Sequence, residues 1–174
     1  MKSFTILLSI LTITFLTSCN KRLAFTTDVK QKWNLTPNKL KKVQFYTSKE
    51  IILTKAGSES DLSINDGKIV INQNNNSEKV IIKKGTPCVL VDTVSGNRYL
   101  FAFEQGERAL VFGNETGTGG YYSLMAQSWK NNKGQLNYGG VNYYTTDRDP
   151  YLNIKAKVLK KLDSRKRTVK GRKL

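Results

Sequence analysis

The sequence predicts an all-β domain, either an antiparallel β-sandwich or a small β-barrel. Proline occurs only three times in 174 residues, while β-branched and aromatic residues are abundant, a composition typical of strands rather than long helices. These residues fall into short runs separated by Gly- and Asn-containing turns. Roughly seven to nine such runs at close spacing are the pattern of a sandwich or barrel.

The first eighteen residues have the layout of a secretory signal. Lys2 supplies a positive charge, residues 4–16 are apolar apart from Ser and Thr, and the next charge is Lys21. A transmembrane helix needs roughly 17 to 25 predominantly apolar residues, and this block is shorter. The pattern therefore favours a signal peptide, residues 1–18, over a retained membrane span.

The signal ends in Leu16-Thr17-Ser18-Cys19, which resembles the lipobox of bacterial lipoproteins, although that family prefers Ala or Gly where Ser18 stands. The resemblance covers residues 1–19. It implies that Cys19 receives a diacylglyceryl group, that residues 1–18 are removed, and that the new amino terminus is acylated, for example by palmitate. Each buried CH₂ contributes roughly 0.8 kcal/mol, so two or more chains would hold the protein stably in a membrane. The alternative is an unmodified Cys19 at the edge of a plain secretory signal.

The mature chain begins with a stretch that lacks any sustained period. Residues 19–42 are therefore predicted to be a tether, with one short ordered segment at Asn34-Leu35-Thr36-Pro37, where a turn or a helix begins. The β domain is predicted to start at Val43, with a first strand from Val43 to Leu53.

Turn residues divide the next part of the chain into strands. Asp66-Gly67 precedes the run KIVIN, and the following segment contains two or three strands with turns at Lys84-Gly85 and at Ser95-Gly96-Asn97. Residues 98–112 predict a hairpin, because Gln105-Gly106 joins two apolar-rich arms.

The third part of the domain begins with a Gly-rich loop, after which a strand is predicted from Tyr121 to about Gln127. A turn at Asn131–Gly134, a strand to Tyr138, a Gly-Gly turn and a strand through Tyr144 follow.

The end of the domain is ambiguous. Ile154, Ala156 and Val158 alternate with lysines, which favours a closing strand, but a helix beginning at Ala156 fits almost as well. The β domain is predicted to span residues 43–162.

The net charge of +16 is concentrated at the carboxyl end. Residues 155–174 contain ten Lys or Arg against Asp163 alone, whereas residues 19–154 contain 18 basic and 12 acidic residues. Residues 163–174 are predicted to form a basic tail, which either lies near an anionic surface or is merely solvated. The basic residues predicted to contribute to this charge are Lys160, Lys161, Arg165, Lys166, Arg167, Lys170, Arg172 and Lys173.

The side chains give little support to an enzymatic function. The chain contains no histidine and, besides Cys19, one cysteine, Cys88, so it lacks the imidazole of Ser-His and Cys-His pairs and the ligands of a zinc site. Cys88 lies among apolar neighbours and is predicted to be a small buried hydrophobe. The carboxylates of Glu104 and Glu107, which flank Gln105-Gly106, and those of Asp147 and Asp149 are predicted to lie in solvated turns and loops. No catalytic residue, metal or cofactor is predicted.

A cluster of aromatic residues is the candidate ligand surface. Exposed Tyr and Trp offer flat apolar faces with polar tips that suit glycans or protein partners. The alternative is that most of these side chains fill the core. The residues are Tyr121, Tyr122, Trp129, Tyr138, Tyr143 and Tyr144.

These patterns together predict a lipid-anchored protein of the bacterial cell envelope that serves as a non-enzymatic interaction or scaffold module. The alternative is a binder of cell-wall glycan or anionic lipid that uses the Tyr/Trp surface and the basic tail. Asn20, Lys21 and Arg22 are neutral or basic, and the lipoprotein resemblance then implies a periplasm-facing position. The expected partners are the membrane and an envelope protein or wall glycan, and an exported protein is not expected to bind nucleic acid.

Overall fold

Two antiparallel sheets enclose the core. The computed structural model describes residues 21–56, 62–65, 68–71, 78–106, 108–115 and 119–163. Within these residues the sheets are not closed into a barrel, so the prediction of an all-β sandwich is confirmed. Buried side chains from both sheets and from the helices belong to a single hydrophobic cluster.

The described residues form fourteen strands and three short helices, which are numbered separately in chain order. The strands are β1 (Arg22–Ala24), β2 (Gln44–Thr47), β3 (Ile51–Lys55), β4 (Leu62–Asn65), β5 (Lys68–Ile71), β6 (Lys79–Ile82), β7 (Pro87–Val94), β8 (Arg98–Ala102), β9 (Ala109–Gly113), β10 (Ser123–Leu124), β11 (Ser128–Lys130), β12 (Lys133–Tyr138), β13 (Val141–Thr145) and β14 (Leu152–Lys155). The helices are α1 (Thr27–Lys32), α2 (Pro37–Leu40) and α3 (Ala156–Asp163).

The larger sheet has seven strands in the order β1-β14-β2-β7-β8-β9-β10, and the smaller has five in the order β11-β12-β13-β3-β6. Strands β4 and β5 form a separate two-stranded ladder. The two-residue strand β10 and the three-residue strand β11 lie at sheet edges, and the short segment 125–127 joins them. The chain therefore passes from one sheet to the other at this point.

The hairpins follow the predicted turns. β8 and β9 pair from Arg98↔Gly113 to Ala102↔Ala109, and Gly106 adopts φ 85° in the connection, a left-handed conformation that glycine reaches without steric cost. β12 and β13 pair as far as Tyr138↔Val141 across the Gly-Gly turn. Both predicted hairpins are confirmed.

The fold begins earlier in the chain than the sequence analysis predicted. β1 pairs with β14 through Arg22↔Lys155, and Phe25, Leu35 and Leu40 are buried in the core. Residues 22–40 are thus part of the packed domain rather than a tether with one ordered segment. The helix start predicted at Asn34–Pro37 is confirmed, because α2 begins at Pro37. The three-residue strand β1 and the six-residue helix α1 have no periodic pattern long enough to be recognised.

The strand predicted from Val43 to Leu53 is two strands, β2 and β3, which belong to different sheets. The chain crosses between the sheets after Thr47, whose hydroxyl donates to the carbonyl of Lys83 at 2.9 Å and accepts from the amide of Thr86 at 3.2 Å. Ser48 Oγ accepts from the amide of Tyr151 at 2.9 Å. These buried hydroxyls satisfy backbone groups at the crossing, a role that strand periodicity does not show.

The strand predicted from Tyr121 to Gln127 is also wrong, because this segment changes partners. The amide of Met125 donates to Val111 of the larger sheet at 2.9 Å, whereas the amide of Gln127 donates to Gln135 of the smaller sheet at 2.7 Å. Only Ser123–Leu124 forms a strand here.

Residues Ala156–Asp163, directly after Lys155, form helix α3. The favoured closing strand through Val158 is therefore wrong, and the alternative of a helix from Ala156 is correct. Leu159 is fully buried, while Val158 and Leu162 pack against the core, so the apolar spacing is that of one helical face. No helix within the described ranges is long and apolar enough to cross a membrane.

Cys88 is buried in β7, 2% exposed, which confirms its prediction as a buried hydrophobe. Burial raises the pKa of its thiol well above the ordinary value of 9.0. The neutral thiol is thus favoured in the folded state. This contribution to stability is complete below pH 9 and is lost as the pH rises above the thiol pKa of the unfolded chain.

We expect Cys88 in the native protein to resist a thiol reagent at pH 8 and to react fully in denaturant. We also expect Cys88→Ala to lower the free energy of unfolding by about 1 kcal/mol, because a small buried group is lost. Reagent uptake by the native protein and urea unfolding measure the two effects. Rapid labelling of Cys88 in the native protein would contradict its burial.

Candidate binding groove

An open groove of about 920 Å³ lies beside the crossing between the two sheets. Its lining comes from the edge strands β10 and β11, the connection between them, the end of β9 and the loop before β14. We call it the aromatic groove and define it by Arg98, Tyr121, Met125, Trp129, Arg148 and Tyr151. Its volume lies in the range of roughly 300–1,000 Å³ that is usual for ligand-binding clefts.

Trp129 stands on edge strand β11 directly opposite Gly134 of β12. A Cβ added at Gly134 would lie 2.9 Å from the Cζ2 and Cη2 atoms of Trp129 and 2.8 Å from the Cβ of Ala126. Glycine at this position therefore lets the indole approach the strand. The guanidinium carbon of Arg148 lies 4.2 Å from the ring centroid, a cation–π contact that helps to hold the ring in place.

Tyr121 and Tyr151 form a second aromatic wall, with ring centroids 4.8 Å apart and planes at 43°. Their positions are fixed by the backbone, because Tyr121 forms a β-bridge with Thr26 and Tyr151 forms one with Ser123. Tyr121 remains 38% exposed. Part of this wall is therefore open to a ligand.

The base of the groove depends on Gly113 at the end of β9. A Cβ there would lie 2.2 Å from the sulfur of Met125 and 3.0 Å from the Cγ of Arg98. Since such approaches do not occur between real atoms, any larger residue would displace Met125. Met125 belongs to the segment that joins the two sheets, and its flexible thioether packs against Gly113 there.

Two ion pairs lie on the rim. Lys49 contacts Asp149 at 3.4 Å, and Arg98 contacts Glu115 at 3.2 Å. All four side chains are about half exposed or more, so these pairs add little stability. They place both donors and acceptors of hydrogen bonds around the aromatic walls.

The structure divides the predicted ligand surface. Tyr122, Tyr138 and Tyr143 are only 1%, 4% and 5% exposed, so they do not belong to an exposed surface, and for these three the alternative of filling the core is confirmed. Burial, with a smaller effect of the Glu104 carboxylate, raises the pKa of Tyr138 to about 12, which keeps its hydroxyl protonated at neutral pH. Half-buried Tyr144 lies on β13 outside the groove.

Tyr121 and Trp129 do line one groove, together with residues that the sequence analysis did not single out. Arg98 comes from the start of β8, whereas Arg148 and Tyr151 both come from the loop before β14. Their spacing in the sequence carries no signal, because only the crossing between the sheets brings them together.

Three of the candidate carboxylates, Glu104, Asp147 and Asp149, have structural partners, and Glu107 lies outside the described residues. Glu104 pairs with Arg108. Asp147 accepts from the amide of Ile52 at 2.9 Å, and its own amide donates to Thr145 Oγ1 at 3.1 Å. These contacts confirm the predicted turn and loop roles. Across the described parts of the chain, no three Cys, Asp or Glu side chains are grouped to hold a metal ion.

The anchor and most of the basic tail fall outside the described residues. These are Cys19, Arg165, Lys166, Arg167, Lys170, Arg172 and Lys173. Lys160 and Lys161 are exposed on α3.

Comparison with known proteins matches this chain to no family model, no curated protein and no solved structure. Functional inference therefore depends on the signal sequence, the groove and the distribution of charge.

Proposed function

We propose that this protein is a lipid-anchored, periplasm-facing interaction module of the bacterial envelope, with no enzymatic activity. The observation that carries the proposal is the lipobox-like sequence Leu16–Cys19, which only two residues separate from the first strand, Arg22–Ala24. An acylated Cys19 would hold the folded domain directly at the membrane surface.

The chemistry of the groove supports a binding role over catalysis. Two of its rim carboxylates, Glu115 and Asp149, each pair with a cation, and the chain has no histidine to act as a general base at neutral pH. The aromatic walls offer contact area rather than reactive groups.

We expect Cys19→Ser to abolish acylation and to release the protein from the membrane fraction, because the acyl chains supply the binding free energy. Cell fractionation and incorporation of labelled palmitate measure the two effects. Cys88→Ala is the matched control, since it removes a thiol that is buried in the domain. A Cys19→Ser protein that stays wholly in the membrane fraction with unchanged mass would refute the anchor.

A second proposed function is the binding of wall glycan in the aromatic groove. It is supported by the position of Trp129 on one side of the groove and Tyr121 with Tyr151 on another. Aromatic faces suit the apolar faces of sugar rings, and the charged rim suits their hydroxyls. The exposed lysines of α3 and the basic tail support an additional attraction to acidic polymers or lipids.

A further inference from the structure

One face of the larger sheet carries two cations beside the start of the fold. Along β1, β14 and β2 the inward positions are Leu23, Ile154 and Phe45, all in or against the core. Side chains alternate along a strand, so Arg22, Lys155 and Tyr46 share the outer face. The guanidinium carbon of Arg22 lies 4.1 Å and the Lys155 ammonium 5.1 Å from the centroid of the same Tyr46 ring.

This arrangement concentrates positive charge. Arg22 and Lys155 are direct partners in the strand register, and like charges at such positions repel each other. The ion pairs found among the described residues include neither of them. The ring of Tyr46 offsets part of the repulsion through its negative face.

Further cations and apolar groups extend the same face. A Cβ at Gly85 would lie 3.0 Å from an Nη atom of Arg22, so the turn that contains exposed Lys83 and Lys84 adjoins the guanidinium. β7 pairs with β2, and its Val89 is 42% exposed. Cations, a tyrosine and an exposed aliphatic residue are the combination found where proteins meet lipid headgroups.

We propose that this basic sheet face, defined by Arg22, Tyr46, Lys155 and Val89, binds the phosphates of anionic lipid headgroups in the membrane that holds the anchor. The inference rests on the proposed lipid anchor at Cys19. Three residue steps span at most about 11 Å, so acylation of Cys19 would keep Arg22 within reach of the headgroups. The domain then lies on the membrane in one orientation instead of turning freely.

The test uses the full-length lipidated protein in vesicles of phosphatidylethanolamine and phosphatidylglycerol. A fluorophore is placed at Val89→Cys on the basic sheet face or, as control, at Ile81→Cys on the smaller sheet, where Ile81 is 55% exposed. Buried Cys88 stays unlabelled. Iodide in the aqueous phase should quench the Val89→Cys label several-fold less than the Ile81→Cys label, and this difference should disappear in phosphatidylcholine vesicles.

Charge-matched variants test the cations. Arg22→Gln with Lys155→Gln should shift the equilibrium from the docked to the free orientation by about 25-fold, since each basic residue near an anionic surface is worth about fivefold. Lys79→Gln with Lys130→Gln removes the same charge from exposed positions of the smaller sheet and should leave the difference in quenching unchanged.

Flotation with the vesicles in high salt separates the two proposals, because acyl insertion resists salt and headgroup contact does not. A protein that floats but shows equal quenching at both sites overturns the docking face and leaves the anchor intact. The docking face is also overturned if phosphatidylcholine vesicles shield the Val89→Cys label as well as the anionic vesicles do. Shielding of this label by wall fragments but not by vesicles overturns it too. A protein that does not float overturns the anchor and the docking face together.

Discussion

Phe45→Ala is expected to destabilise the domain by about 4 kcal/mol, because it removes a fully buried ring and leaves a cavity. The ring has no exposed surface. It makes edge contacts with Phe25 at a centroid distance of 5.2 Å and with Phe101 at 4.8 Å. Phe45 therefore joins the segment that precedes β2 to the centre of the larger sheet.

Urea unfolding followed by circular dichroism measures this loss. Since domains of this kind are stable by only about 5–15 kcal/mol, the midpoint should fall sharply while the slope stays near the wild-type value. Phe45→Leu, which keeps most of the volume, should lose less. Phe103→Ala is the control, because Phe103 is only partly buried beside the core, and an equal loss in the two alanine variants would contradict the central position of Phe45.

The elements that could be predicted from the sequence are those specified by local chemistry. The β8–β9 and β12–β13 hairpins each combine apolar arms with a glycine at positive φ, such as Gly106 and Gly139, and this information lies within a few neighbouring residues. The crossings after Thr47 and after Leu124 could not be predicted in this way. The β-rich composition continues through each crossing, although the strands before and after it belong to different sheets. Which sheet a strand joins depends on pairing partners that are distant in sequence.

The candidate site was predicted only in part for a related reason. The aromatic content of residues 121–144 was visible in the sequence, but which rings face the core depends on the strand register. Tyr143 stands opposite Leu136 and points inward with it. Trp129, opposite Gly134, lies on the same side of the sheet but on the edge strand, where it is half-buried. Tyr151 and Arg148 join the groove through contacts over a long separation along the chain, which composition does not encode.

Trp129→Ala is expected to weaken binding of soluble wall-glycan fragments or chitohexaose by about 30-fold, as about 2 kcal/mol is typical when a tryptophan at the centre of a site is truncated. The fold should persist because Trp129 is half-buried on an edge strand. Isothermal titration measures the affinity. Tyr144→Ala, which changes a half-buried aromatic residue outside the groove, should bind as the wild type does.

Gly134→Ala moves the indole without removing it. The added methyl group would stand 2.9 Å from two indole carbons, so the ring must shift, and we expect a change in tryptophan emission together with weaker glycan binding. Gly140→Ala is the matched control in the neighbouring turn, because a Cβ there meets nothing within 4 Å. It should cost stability through its φ of +79° while leaving emission and affinity unchanged. If Trp129→Ala and Gly134→Ala both bind glycan as tightly as the wild type, the groove is not a glycan site, and the proposal of a lipid-anchored interaction module is unaffected.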